Sequence, residues 1–147
     1  MPVSSQRQIL RGGFAMVVTP VLSDDSSDVE LLGAQDLAVR ARAFDSLTAA
    51  GPASVDALIA GARHANWRVR RGCADLMDHL ADDRCAEALV RLLHDPVAAV
   101  RLIAIHALGC QPPDPRAAVF LQRLLEREND AGIGSRARWA FSQQERS

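Results

Sequence analysis

The side chains best suited to chemistry in this sequence are aspartates and histidines that recur at a regular spacing. Asp45, Asp75 and His106 stand 30 and 31 residues apart, and His79 follows Asp75 by four residues. Carboxylate oxygens and imidazole nitrogens are ordinary ligands of divalent metals. Asp75 and His79 would share one face of a helix, but two ligands are too few for a metal site. Whether Asp45 and His106 can join Asp75 and His79 in one metal site depends on the secondary-structure elements that carry these four residues.

Those elements belong to a repeat that is clearest in residues 94–109, HDPVAAVRLIAIHALG. Asp95 and Pro96 separate two helices, because proline is tolerated in a first helical turn and disfavoured in a helix interior. After them, Val100, Ala104 and Leu108 follow the spacing that builds one apolar helix stripe. The stretch is therefore predicted to be a turn followed by an amphipathic helix.

The same apolar frame occurs four times along the chain. Its first residues, spaced by 30, 31 and 33, are Val39, Val69, Val100 and Ile133. A second apolar helix precedes each copy. Units of two short helices cannot bury their apolar faces alone, so they stack on one another. The sequence predicts an all-α stack of about four helix pairs.

This stack argues against a metal site and against catalysis. Neighbouring helices pack about 8–10 Å apart, whereas metal–ligand bonds are about 2 Å long, so Asp45, Asp75 and His106 cannot share an ion. Cys73 aligns with small core residues of the other repeats and is expected to be buried. Neither Cys85 nor Cys110 has a Cys or His at a spacing typical of zinc sites, nor an identifiable base. We expect no metal, no cofactor and no catalytic residue, and therefore no enzymatic activity.

The outward face of the second helices is the predicted binding surface. Residues two, six and nine positions after the first residue of each apolar frame point away from the apolar stripe. The predicted partner-binding residues in these columns are Asp45, Arg71, Asp75, Asp78, Leu102, His106 and Trp139. Trp67 begins a second helix beside arginines, where it would either cover the turn or anchor a partner.

The residues DPVAAVRLIAIHALG resemble the HEAT repeat family, in the short bacterial form also seen in phycobilisome-lyase-like proteins. The resemblance covers roughly residues 28–142 and implies a right-handed α-solenoid whose second helices line the concave face. It also implies structural roles within the repeat for Arg40, Arg70 and Arg101, which would tie one repeat to the next through a carboxylate or a loop carbonyl. Asp95 and Pro96 would be structural residues of the hinge.

The composition restricts the classes of partner and the cellular compartment that we expect for the protein. The 17 basic and 18 acidic residues nearly balance, which gives no general attraction to nucleic acid or to an anionic membrane. All the basic residues are arginine, which indicates a GC-rich bacterial genome. Three scattered cysteines do not form a disulfide framework, and the apolar run at residues 14–18 is too short to span a bilayer. We expect a cytoplasmic protein.

Two segments fall outside the regular pattern. Residues 1–27 are predicted to cap the open end of the first repeat, or to form an arm that docks on a partner or on a second copy of the chain. The polar residues 23–28 would link this segment to a repeat domain at 28–147 and provide helix N-caps. Residues 127–135 contain Gly132 and Gly134 and predict a long, mobile loop.

These features favour a non-catalytic adaptor that binds another protein through the concave face. The alternative is a HEAT-like enzyme or nucleic-acid-binding protein. Trp67, Asp75 and Trp139 invite comparison with alkyl-base DNA glycosylases, whereas bilin lyases share only the generic repeat. The glycosylases are longer and strongly basic on this face. In this chain the same face carries three aspartates and one arginine, Arg71. Nucleic acid is therefore not the expected partner.

Overall fold

The structure is a computed structural model that describes residues 25–146, and every structural statement below concerns that part of the chain. The predicted cap or arm lies largely outside these residues. Eight α-helices follow one another: α1 Asp25–Leu31, α2 Leu37–Ala50, α3 Val55–Gly61, α4 Trp67–Leu80, α5 Ala86–Leu92, α6 Ala98–Cys110, α7 Pro115–Leu125 and α8 Ala131–Gln144. Short 3₁₀ turns, Gly51–Ser54 and Asp83–Cys85, precede α3 and α5. Residues 25–146 contain no strand.

The helices form four pairs arranged in two layers. The second helices contact one another in chain order, α2 to α4, α4 to α6 and α6 to α8. In the other layer α1 contacts α3, α5 contacts α7, and α3 contacts the 3₁₀ turn before α5. The predicted all-α stack of four helix pairs is confirmed. None of the described helices is long and apolar enough to cross a membrane.

The repeated apolar stripes form one continuous core between the two layers. Leu47, Met77 and Leu108 are buried at corresponding positions of three second helices. In the fourth repeat, whose sequence match is weakest, Ile133 and Ala137 are also buried. Each pair thus covers the apolar face of its neighbour, which is why isolated pairs would not be stable.

Short polar side chains cap the N-termini of four of the eight described helices. Asp36, Asn66, Asp114 and Asp130 each accept a hydrogen bond from a backbone N–H in the first turn of the helix that follows. These bonds satisfy donors that have no partner within the helix. Asp95 and Pro96 lie between α5 and α6, as predicted, with Pro96 two residues before Ala98.

Two predicted boundaries are wrong for the same reason. Helix α1 begins at Asp25, so Asp28 is not its N-cap; Asp28 is buried and accepts a hydrogen bond of 2.6 Å from the Ser46 hydroxyl. The glycine-containing loop is also shorter than predicted, because Asp130 caps α8 and places Gly132 and Gly134 inside that helix. In both segments several residues could start a helix, and tertiary contacts select one.

Candidate functional site

A groove lies between the second helices of the first two repeats. It encloses about 580 Å³ between α2 and α4. Its lining combines apolar, basic and acidic side chains: Leu32, Leu37, Arg40, Ala41, Phe44, Asp45, Trp67, Arg68, Arg71, Gly72 and Asp75. A concave site with an apolar lining and a few polar groups is the usual form of a binding site.

The large apolar side chains of the groove differ in exposure: Leu32 is buried, Phe44 and Trp67 are half-buried, and Leu37 is exposed. Leu37, the first residue of α2, is 70% exposed, although a leucine in a stable monomer is commonly covered. Trp67 is half-buried against the core, and the Arg68 guanidinium lies 5.0 Å from the centre of its ring. Trp67 thus covers the turn and at the same time lines the groove, so its two predicted roles are compatible.

A smaller depression continues the groove along the same face. It encloses about 250 Å³ and is lined by Arg71, Ala99, Leu102, Ile103, His106 and Arg136. Arg71 borders both spaces. We call the exposed surface of α2, α4, α6 and α8 the second-helix face. Along it, an extended ligand would pass from the groove over Arg71 to the half-exposed Leu102.

The predicted partner-binding residues do not all present free side chains on this face. Asp45, Arg71 and Leu102 are exposed. Asp75 lies 3.5 Å from His79 Nδ1. Trp139 is half-buried, because its ring packs against the core and over Gly109.

The three repeat arginines lie at the inter-helix turns. Arg40, Arg70 and Arg101 each donate from Nη1 to two carbonyls of the turn before their own helix. Arg70 also binds Asp95 of the next repeat through two hydrogen bonds, 2.6 Å and 3.0 Å long. Arg101 binds Glu128 of the fourth repeat at 3.0 Å. These arginines are engaged within the fold and do not form an open cationic surface.

Asp78, His106 and Cys110 come together on α4 and α6, a grouping that the sequence analysis missed. His106 Nε2 lies 3.7 Å from Asp78 Oδ2 and 3.6 Å from Cys110 Sγ. Cys110 therefore does have a histidine partner, four residues away on the same helix, contrary to our expectation. The missed signal was the spacing His106-x-x-x-Cys110, together with Asp78, three residues after the Asp75 that aligns with His106.

This trio lacks the geometry of a nucleophilic triad. In a Cys-His-Asp triad the acid orients one ring nitrogen while the other receives the thiol proton. Here Asp78 and Cys110 both approach Nε2 of His106. Burial, followed by the negative charge of Asp78, raises the pKa of the Cys110 thiol, although Arg136 acts in the opposite direction. A reactive cysteine would need a lowered pKa.

A second acidic group lies on α4 alone. Asp75, Asp78 and His79 can place ligand atoms within 4.8 Å of one another. His79 Nδ1 also lies 2.9 Å from the Asp75 carbonyl oxygen, so this nitrogen donates its proton there and is not available as a ligand. Among residues 25–146, Asp45, Asp75 and His106 do not form a common metal-ligating group.

The fold and the site define an α-solenoid with a grooved second-helix face. The model of the HEAT repeats matches residues 55–142, more than half of the chain, and the protein belongs to this family. HEAT repeats generally mediate protein–protein interactions. The matched region spans the last three helix pairs. A comparison with curated proteins found no match.

Proposed function

We propose that this protein is a non-catalytic interaction module that binds a partner protein through the groove between α2 and α4. The observation that carries the proposal is the exposed apolar lining, with Leu37 at 70% exposure beside Trp67 and the charged rim. The family expectation that second helices line a concave binding face supports the same surface.

The chemistry of the groove specifies what kind of segment would fit. Leu37 and the half-buried Phe44 and Trp67 offer contacts for one or two apolar side chains of the partner. Arg68 and Arg71 stand on one side of the rim and could bind a carboxylate, while Asp45 could bind a basic residue. Tryptophan and arginine contribute disproportionately to interface energies, particularly where they surround an apolar contact. A short amphipathic segment with both charges is therefore the proposed ligand.

The test is affinity capture from a lysate of the source cells, with mass spectrometry of the bound proteins. The groove variant is Leu37→Glu/Arg71→Glu, which changes two exposed side chains. The matched control is Val119→Glu/Arg123→Glu on α7, where Val119 is 47% exposed and Arg123 lies outside the groove. We expect one protein to be captured by wild type and control, and lost with the groove variant.

Two results would contradict the proposal. Capture of the same partner by wild type and the groove variant would place the interface elsewhere, and absence of any specific partner would remove the basis for an adaptor. A salt-dependent shift of duplex DNA by the wild-type protein would instead support the nucleic-acid alternative. Circular dichroism of both variants confirms that a lost interaction does not reflect unfolding.

A further inference from the structure

Three different donor atoms converge at one point on the second-helix face. Asp78 supplies a carboxylate oxygen, His106 an imidazole nitrogen and Cys110 a sulfur, and these atoms lie within 4.8 Å of one another. His106 and Cys110 are one helical turn apart on α6, and Asp78 reaches them from the neighbouring α4. Their convergence therefore depends on the packing of two successive repeats.

The separations agree with those between ligands of one small metal ion. With zinc–nitrogen and zinc–oxygen bonds of about 2.0 Å and a zinc–sulfur bond of about 2.3 Å, tetrahedral geometry puts nitrogen and sulfur about 3.5 Å apart, and nitrogen and oxygen about 3.3 Å apart. The observed distances from His106 Nε2 are 3.6 Å to Cys110 Sγ and 3.7 Å to Asp78 Oδ2. Side-chain shifts of a few tenths of an ångström would bring these two distances to the tetrahedral values.

The histidine ring is held in place by its neighbours. The rings of His106 and Trp139 are stacked, with centroids 5.6 Å apart and planes inclined by 14°. Trp139 is itself seated on Gly109, where an added Cβ would lie only 2.4 Å from the indole. This packing restricts the ring of His106, which lowers the entropy cost of binding a ligand at its Nε2.

The aspartate is available for a cation. Its side chain is 17% exposed, and among the hydrogen bonds of residues 25–146 none is accepted by its carboxylate, whose charged neighbour is His106 Nε2 at 3.7 Å. On the other side of the site, Arg136 lies over the Trp139 ring at 5.4 Å. A half-buried carboxylate without a hydrogen-bond donor gains more from a bound cation than a solvated one does.

We propose that Asp78, His106 and Cys110 bind one divalent transition-metal ion, zinc in the first instance, and leave one coordination position open. Mixed sulfur, nitrogen and oxygen donors select zinc or cobalt over magnesium and calcium, which prefer oxygen ligands. The adjacent group of Asp75, Asp78 and His79 is the weaker candidate, since it lacks a sulfur ligand and all three residues lie on one helix.

Cobalt(II) titration of the reduced full-length protein tests the proposal directly. We expect one equivalent of cobalt to bind and to produce the near-ultraviolet charge-transfer band of a cobalt–thiolate bond, which zinc then removes by displacement. Cys110→Ser should abolish the band. His106→Ala and Asp78→Asn should each weaken zinc binding by at least about 10-fold, because even residues that only orient metal ligands contribute 10-fold to 100-fold.

Matched variants separate this site from other binding. Cys85→Ala and His94→Ala change the same residue types away from the cluster and should leave cobalt binding unaltered. Alkylation of wild-type protein gives a measurement without any variant: Cys110 is the exposed cysteine among the described residues, and zinc should slow its reaction with iodoacetamide. No thiolate band, a band that survives Cys110→Ser, or a loss of binding in His79→Ala equal to that in His106→Ala would each overturn the proposal.

Discussion

The first and last junctions between repeats are built differently. At the junction of repeats 1 and 2, α2 and α4 leave a groove of about 580 Å³, with the exposed Leu37 at its edge. At the junction of repeats 3 and 4, Trp139 of α8 closes over Gly109 of α6. We call these the open junction and the closed junction. One repeat architecture thus provides surface for binding at one end and dense packing at the other.

The arginines show the same difference at the level of single hydrogen bonds. Arg40, at the open junction, donates only to carbonyls of its own turn within residues 25–146, whereas Arg70 and Arg101 also bind a carboxylate from the following repeat. The cause is visible in the turns: repeats 3 and 4 carry Asp95 and Glu128, but residues 64–66 of repeat 2 include no acid. In place of that ion pair, the junction of repeats 1 and 2 has a contact between His64 Nε2 and Glu30 Oε2, 2.9 Å apart, and the groove between α2 and α4 remains open.

The largest expected effect on stability comes from removing an ion pair of the kind that the open junction lacks, between a repeat arginine and a carboxylate of the next repeat. Arg70→Ala should lower the free energy of unfolding by about 3–5 kcal/mol, because it leaves Asp95 buried without its partner. The Asp95 side chain is only 4% exposed. Arg40→Ala, the matched change, should cost about 0.5–1.5 kcal/mol, since it removes only hydrogen bonds to turn carbonyls. Urea unfolding followed by circular dichroism measures both, and equal costs would show that the ion pair between repeats 2 and 3 adds no stability beyond the turn hydrogen bonds that Arg40 also makes.

The next largest effect on stability is expected for a buried leucine, Leu108, in comparison with the exposed Leu37. Leu108→Ala removes a side chain that is 2% exposed and should cost about 2–5 kcal/mol. Leu37→Ala removes one that is 70% exposed and should change stability by less than about 0.5 kcal/mol, while it weakens binding of the partner. Thermal and urea unfolding of the two variants provide the comparison. A large loss for Leu37→Ala would show that this leucine stabilises the fold and does not serve binding.

Gln144 provides a smaller effect at the C-terminal end. Its Nε2 donates to the carbonyls of Leu108 and Gln111, and its Oε1 accepts from the Asp114 N–H at 2.6 Å. Gln144→Ala should cost about 1–3 kcal/mol, because these buried groups lose their partners. Gln143→Ala is the adjacent control and should be nearly neutral. Equal values for the two glutamines in urea unfolding would mean that water replaces the lost bonds.

Gln144 also shows what sequence reasoning could and could not find. The apolar frames at Val39, Val69, Val100 and Ile133 predicted the helix pairs, because burial on one helix face imposes a pattern that can be read locally. Gln144 belongs to no such pattern. Its partners are the N–H of Asp114, in the connector before α7, and the carbonyl of Leu108, 36 residues away. Only the three-dimensional arrangement therefore identifies it.

For the site, too, the sequence predicted what helical periodicity determines and no more. The outward columns indicated Asp45, Arg71 and Leu102 as exposed, because helical periodicity fixes which residues point away from the core. The same reasoning placed His106 with Asp45 and Asp75, whereas the structure groups it with Asp78 and Cys110. Which donors meet depends on the axial offset between neighbouring helices, and single-repeat periodicity does not contain that offset.

The smallest expected effects come from two helical glycines, one at each junction. At the closed junction, a Cβ added to Gly109 would lie 2.4 Å from the Trp139 ring, so Gly109→Ala should cost about 1–3 kcal/mol through overpacking. At the open junction, a Cβ on Gly72 would lie 3.2 Å from Leu32 Cβ and 3.3 Å from its Cδ1, contacts that require shifts of only a few tenths of an ångström. Alanine is favoured over glycine in a helix by about 1 kcal/mol, and the contact offsets only part of this gain. We therefore expect Gly72→Ala to stabilise the protein by about 0.5 kcal/mol. Thermal unfolding should separate the two variants in opposite directions from wild type, and a loss of stability in both would show that the junctions are equally tight.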